Sequence, residues 1–415
     1  MIERKEFTMT TDVVVAGGGP AGMMLGLILA RAGIAVTVLE KHGDFLRDFR
    51  GDTVHASTVR LMDELGLGKE FRRLPQSRLG DLQAPLPDGS RITLSDFAGL
   101  PAPYNYIAMI PQWDLLNFLA AAAAGEPTFT LRMNTAVTGL IQENGKVAGV
   151  RYRTREGAEG EIRAQLTVAA DGRHSTVRQE LGLTPKEYPV PFDTWWFRLP
   201  RHAREQDEIA RLVGEFKGDQ IALSFTREDY YQIAYFTAKG ADARLRAEGV
   251  ERFRERVADL LPQYADRVEH IAGMDDLHRL DVRLNRLNRW YADGALLIGD
   301  AAHAMSPAGG MGINLAIQDA VAAATILAEP LRRHQVTTAD LAKVQQRRWR
   351  PTAIVQAVQR MLHRTMFVPA FASKGARPPR PLVFLARHFP AFKKLPSRLI
   401  AYGPRPEHAP DYARR

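Results

Sequence analysis

The chain of 415 residues is long enough for two domains and a sizeable core, and its composition is that of an ordinary water-soluble protein. It holds no cysteine, which excludes disulfides, thiolate nucleophiles and iron–sulfur ligation and leaves any redox chemistry to a bound cofactor. The net charge of +9 is uneven: from Leu331 onward 18 Lys and Arg face 3 Asp and Glu, while the remainder is net acidic.

No uninterrupted apolar run reaches the ~18 residues of a membrane span, and no signal-peptide layout opens the chain, so a cytoplasmic protein is expected. Met9 is read as an alternative start. No metal-ligand spacing is read, and no nucleic-acid motif accompanies the basic end, so nucleic acid is not expected as a partner.

From Asp12 to Glu40 the residues predict strand, glycine turn, helix and second strand closed by an acid. Gly17, Gly19 and Gly22 stand at the G-x-G-x-x-G spacing, with Pro20 and Ala21 inside it: a tight turn, an approach of amides to pyrophosphate, and close helix–strand packing. The helix N-terminus adds its dipole, and Glu40 lies about 20 residues downstream, where an acid meets ribose hydroxyls. The complete unit points to a dinucleotide far more strongly than the glycines alone.

A loop with Arg50 and Gly51 follows, then an amphipathic helix bearing Leu61, Leu65 and Leu67. Arg50 reads equally as a surface ion pair or a lid on the phosphate turn, and His55 reads at least as well as a packed or capping residue as a catalytic one. Residues 75–103 suggest an excursion into β structure. A helix then opens at about Trp113, behind Gln112, and strands follow at 129–133, 147–154 and 162–169. The last runs into Asp171-Gly172, with Ser175 opening a helix.

Between 183 and 279 the pattern is that of an antiparallel sheet, including Trp195, Trp196, 221–225 and 230–237. Tyr231, Ile233 and Tyr235 share one face, which could wall a pocket or fill a core. Val250, Phe253, Val257, Leu260 and Leu261 predict a helix packed on that sheet. Leu296–Ile298 form a short buried strand ended by Gly299 and Asp300. Gly309, Gly310 and Gly312 then precede a long Ala-rich helix from Asn314, so amides and dipole converge on something electron-rich. Beyond Leu331 the chain reads as helical to about Met366, then basic and Pro-punctuated, with Leu382–Leu385, Phe389, Phe392 and Leu395 as its apolar content. The basic end reads as a solvated surface, or as contact with an acidic membrane or partner.

With GGGPAG at 17–22, Asp171-Gly172 after a strand and Gly299-Asp300-Ala-Ala-His-x-x-x-Pro307 before a helix, the chain resembles the flavin-dependent aromatic hydroxylases over roughly residues 11–330. These are single-component FAD monooxygenases of the para-hydroxybenzoate hydroxylase type. The resemblance implies an α/β fold: a Rossmann-like FAD-binding βαβ domain of the glutathione reductase type, an inserted antiparallel β-sheet substrate domain, and a C-terminal helical segment. The expected boundaries are 11–75, 105–182 and 280–330 for the first, 76–104 and 183–279 for the second, and 331–415 for the third.

It also implies FAD as cofactor, NADH or NADPH as reductant, and a small aromatic or polyketide-like substrate hydroxylated with O2 through a peroxide adduct of the flavin. Gly17, Gly19 and Gly22 would hold the pyrophosphate, Glu40 with Lys41 the adenosine ribose, Arg50 and Gln112 the phosphate and ribitol region, and Asp300 the ribitol. Asp171 matches a motif linked to both FAD and the nicotinamide. Independently, the amides of Gly312, Ile313 and Asn314 would stabilise negative charge at the N1 and O2 edge of reduced flavin. A substrate base is not legible; His55, Arg198 and Tyr231 are the candidates. The alternatives are a flavin halogenase, faintly suggested by Trp195-Trp196-x-x-Leu199-Pro200, a non-oxygenating flavin oxidoreductase, a non-catalytic FAD-binding scaffold, and an NAD-dependent dehydrogenase. Monomer and homodimer are both compatible with the sequence.

Overall fold

The computed structural model describes residues 8–46, 53–85, 91–205, 212–227, 229–374 and 394–415. Its first half runs β1 (Thr8–Ala16), α1 (Pro20–Arg31), β2 (Val36–Leu39), β3 (Thr53–Val54), α2 (Ala56–Glu64), β4 (Ser77–Leu79), β5 (Asp81–Pro85), β6 (Arg91–Asp96), β7 (Ile107–Met109), α3 (Gln112–Ala124), β8 (Phe129–Arg132), β9 (Thr135–Glu143), β10 (Lys146–Thr154), β11 (Glu159–Ala169) and α4 (Thr176–Glu180). The second half continues with β12 (Phe192–Pro200), β13 (Leu212–Lys217), β14 (Gln220–Thr226), β15 (Tyr230–Ala238), α5 (Gly249–Leu260), β16 (His278–Leu280), β17 (Tyr291–Ala292), β18 (Ala295–Leu297), α6 (Gly312–Arg332), α7 (Thr338–Leu362) and α8 (Lys394–Tyr402). Shorter pieces are named by range.

The expected α/β class holds. Strands β18, β11, β1, β2 and β8 pair in parallel in that order, and β9 and β10 form an antiparallel extension from β11. Strands covered on both faces need continuous apolar runs, and Val13 to Ala16 are fully buried. Helix α1 is apolar on every side and correspondingly buried from Ala21 to Ala30, packed on the sheet and between α3 and α6. Gly17, at φ +103°, turns the chain where an L side chain would also overlap the Ala170 carbonyl. A Cβ on Gly22 would overlap the Gly17 carbonyl oxygen, which is how closely helix and turn approach.

The second sheet is antiparallel, in the order β13-β14-β15-β12-β16. Side chains alternate, so its two faces have different duties. Trp195, Phe197, Leu199, Tyr231, Ile233 and Tyr235 pack on Phe253, Val257 and Leu260 of α5. Phe192, Trp196, Phe225, Ala234 and Phe236 form the other face, against Ile107, Met109, Phe97 and Ala308. The face of Tyr231, Ile233 and Tyr235 is therefore a helix-covered core; the residues one out of step form the opposite face. The hairpin β5–β6 lies on β13, tying the 76–104 excursion to this sheet.

The C-terminal segment is not an independent basic layer. Helix α7 opens on a capping box between Thr337 and Asp340, and Leu341 and Val344 enter the main core with Ala409 and Ala413. A π-helical turn over His363–Phe367 then sends Phe367 and Ala370 into the second-sheet cluster, which Ala401 of α8 joins. Residues 403–415 return to the first domain: the Tyr412 hydroxyl donates to Ala324 O at 2.9 Å, and Ala409 N donates to Glu64 Oε2 at 2.8 Å. The apolar residues expected at 382–392 lie outside the described residues. Among the described residues no helix is long and apolar enough to cross a membrane.

Gly22→Ala should cost about 1–3 kcal/mol, because the new methyl meets backbone rather than a side chain that could swing away. The midpoint of chemical denaturation measures it; an unchanged midpoint would mean the turn has room to yield.

Candidate active site

The site follows from strand register. Ala16, Ala169 and Leu297 are aligned neighbours at the carboxyl ends of β1, β11 and β18. Ladder bonds continue past them, from Ala170 N to Ala16 O at 2.8 Å and from Ile298 N to Ala169 O at 3.0 Å. With adjacent strands about 4.8 Å apart, the turns at Gly17, Asp171 and Gly299 emerge side by side within about 10 Å. Gly17, Gly19, Pro20, Asp171, Asp300, Pro307, Gly312 and Ile313 are only half-buried, in contrast to the sealed strands behind them. Three of the four segments expected to share one ligand thus meet at one sheet edge, and α6 brings the fourth, from 307 to 314.

Within the first motif, Gly18 N donates to Glu40 Oε2 at 2.9 Å and His42 N to Glu40 Oε1 at 3.0 Å. Glu40 stiffens the glycine turn as well as facing it, and its carboxylate retains lone pairs for ribose hydroxyls. Lys41 beside it is exposed, and Gln112 is the first residue of α3. Arg50 lies outside the described residues.

In the second motif Ser175 caps α4 by accepting from Arg178 N at 3.0 Å. Asp171 Oδ2 accepts from Val177 N at 3.2 Å, while its Oδ1 is buried with no hydrogen-bond partner among the described residues. Burial pushes the Asp171 carboxyl up, against hydrogen bonds from Ser175 and the helix amides that hold it down. Arg178 and Arg173, which the sequence reading missed, join the second motif to the third. Arg178 Nη1 donates to Ala301 O at 2.9 Å, and Arg173 Nη2 stands 3.7 Å from Asp300 Oδ2.

The third motif is held from beneath by a buried charge chain, also missed. Asp319 accepts from Gly299 N at 3.1 Å, from His303 Nε2 at 2.6 Å and from Arg348 Nε at 3.1 Å; Arg348 Nη1 in turn reaches Glu407 Oε1 at 3.0 Å. Burial pushes the Asp319 carboxyl up, but His303 and Arg348 outweigh it and the carboxyl is held below its usual range.

At the start of α6, the first hydrogen bond one turn back is from Leu315 N to Met311 O, so the amides of Gly312, Ile313 and Asn314 precede it without a helical acceptor. Asn314's side chain is spent on architecture: Oδ1 accepts from His55 N and Thr58 Oγ1, both at 2.8 Å, and Nδ2 donates to Thr53 O at 3.1 Å.

The three candidate bases stand differently. Tyr231 packs against Tyr264, ring centres 4.5 Å apart, in the cluster between the second sheet and α5. His55 is buried at the start of α2, its Nδ1 hydrogen-bonded to Ile400 O at 2.6 Å, which supports the packed reading. Arg198 is exposed, its guanidinium 4.6 Å from the Tyr230 ring centre and 5.6 Å from that of Trp113. Among the described residues no cluster of three metal-ligating side chains occurs.

The donors fit an FAD: space is open above Gly19, the first amides of α6 have no helical acceptor, and Asp171 Oδ1 has no partner among the described residues. The chain belongs to the FAD binding domain family, whose profile matches residues 10–358, and its relatives make it an FAD-dependent monooxygenase. It is 36% identical over 399 residues to a 6-methylpretetramide 4-monooxygenase from Streptomyces rimosus, covering 95% of this chain and 92% of that protein. A 12-dehydrotetracycline 5-monooxygenase/anhydrotetracycline 6-monooxygenase of the same species is 34% identical over 341 residues; the match covers 75% of this chain and 61% of that relative. The solved structure of an anhydrotetracycline hydroxylase from Streptomyces rimosus superposes with a TM-score of 0.73 at 26% identity, over 95% of this chain and 76% of that one.

Burial holds the imidazoles of His55 and His363 down to about 4 from 6.5. The unfolded chain therefore takes up protons first as pH falls, so this stability is complete above the unfolded value and is lost from about 6.5 towards about 4, up to ~3 kcal/mol each. Melting temperatures across that window should fall less steeply in His55→Leu than in the parent; parallel slopes would assign the acid loss to other groups.

Proposed function

We propose that the chain hydroxylates a multi-ring, polyketide-like aromatic compound, using FAD, NADH or NADPH, and O2. The observation that carries this reading is the likeness to the 6-methylpretetramide enzyme over 95% of the chain, including most of the residues after 358 that close on the second sheet. Bound FAD, once reduced, supplies the electrons that activate O2. Gly17, Gly19, Pro20, Ala21 and Gly22 would hold its pyrophosphate, Glu40 its ribose and Asp300 its ribitol. Gly312, Ile313 and Asn314 would set amide dipoles against the anionic edge of the reduced ring. The aromatic face of Phe192, Trp196, Phe225 and Phe236 would keep water from a substrate lying against it.

Purified protein should be yellow, oxidise NADH or NADPH faster with a phenolic polycycle, and add one oxygen atom to the product; halide incorporation would turn the reading towards a halogenase. Asp300→Ala should weaken FAD retention by about 1.5–3 kcal/mol, roughly tenfold to a hundredfold in Kd, through loss of a charged hydrogen bond.

A peripheral contact with anionic membrane is supported by one observation. Ile354, Met361 and Val368 recur every seven residues on the exposed side of α7 and its π-turn, with Arg350 and Arg364 on the same side and exposed Leu395 on α8. Co-sedimentation with phosphatidylserine vesicles at low salt, lost in Met361→Glu, is the expected result; no binding by the parent would end this reading.

A further inference from the structure

Among the buried polar atoms of the described residues that lack a partner, three belong to side chains gathered around one apolar cluster. Thr194 Oγ1, Trp196 Nε1 and His363 Nδ1 are each sealed from solvent with no hydrogen-bond partner among the described residues. Thr194 and Trp196 pair with Phe236 and Ala234 across β12 and β15, and so point to the sheet face turned towards the Ser306–Gly310 loop. Two residues apart on a strand, they stand about 6.8 Å from each other along that face.

His363 comes from the π-turn that ends α7, beyond the matched family domain. Local i to i+5 turns of this kind recur where a helix serves a site. Its ring lies edge-on to Phe192 at 5.1 Å, and Phe192 stacks on Phe367 at 4.3 Å. Its Nε2 is 2.9 Å from Ser306 Oγ, the residue before Pro307. Ser306 Oγ accepts from Ala308 N at 3.3 Å, so its own proton is available to Nε2 and the imidazole proton falls on Nδ1. Burial outweighs the pull of the Pro189 carbonyl, which faces the ring without meeting hydrogen-bond geometry at Nδ1, and keeps the imidazole neutral.

An indole N–H, a neutral imidazole N–H and a hydroxyl, all facing aromatic rings, form a poor core and a good reader of oxygen atoms on a flat molecule. Left unpaired, such groups lose their hydration without compensation. We propose that Thr194, Trp196 and His363 determine substrate specificity by hydrogen-bonding the phenol and carbonyl oxygens of a multi-ring aromatic substrate, with the segment after residue 358 supplying one wall. This rests on the substrate class proposed above and adds the residues that select within it.

Thr194→Val removes the hydroxyl at constant shape, and His363→Gln keeps a group in reach of Ser306 while losing Nδ1. In the FAD-loaded protein, 1,8-dihydroxyanthraquinone and anthracene serve as probes, with Kd read from perturbation of the flavin absorbance. The parent should prefer the dihydroxy compound. Both variants should bind it about three- to tenfold more weakly, leave anthracene unchanged, and in Thr194→Val keep or raise the ligand-free melting temperature, since an orphaned polar atom is removed. Equal binding of the two probes by the parent, equal losses for both in the variants, or a lower melting temperature in Thr194→Val with unchanged binding would overturn the assignment. Failure of the substrate class itself would appear separately, as no polycyclic phenol stimulating NADH or NADPH oxidation.

Discussion

Every later feature of the site depends on the parallel alignment of β11, β1 and β18. A parallel ladder leaves all its carboxyl ends at one edge, and the register here ends three adjacent strands on the same row, at Ala16, Ala169 and Leu297. Three turns more than a hundred residues apart in sequence therefore share one edge without any side chain having to reach for another. A slip of one residue in β11 would carry Asp171 to the wrong face of the sheet. The sealed, apolar interiors of these strands make such a slip expensive.

Cofactor motifs alone do not hold themselves still. Gly299 and Gly310 both have positive φ, conformations that other residues rarely adopt. The first is fixed by Asp319 through its amide, the second by Thr53 through its carbonyl at 2.8 Å. Gln359 adds a third fastening, donating to Ser306 O at 2.8 Å and to Ala308 O at 2.9 Å. A buried aspartate would be costly alone; paired with His303 and Arg348, and with Glu407 balancing the arginine, it becomes a rigid post under the loop.

How much of this was legible in the sequence depended on range. Gly17-Gly18-Gly19-Pro20-Ala21-Gly22 and Gly299-Asp300 announce themselves because turn geometry and helix dipoles are local properties of the chain, and Ser175 as a cap is local too. The faces of the second sheet were not legible: alternation revealed that Tyr231 and Tyr235 share a side, but only the seating of α5 decides which side is covered. His363 was hidden for a related reason, since a π-turn shifts helical phase and its partner Ser306 lies 57 residues away. Glu407 is one of three acids after Leu331, and nothing near it in sequence announces that it faces two arginines about 60 residues upstream, Arg347 and Arg348.

That distant glutamate bears on biosynthesis. During translation α6 leaves the ribosome with Asp319 and, shortly after, Arg348, but the charge that completes their buried chain emerges only with residue 407. Until then the arginine is left one counter-charge short in the forming interior, and the post beneath Gly299 is incomplete. The support beneath the third motif is thus completed only by the last residues of the chain to be made.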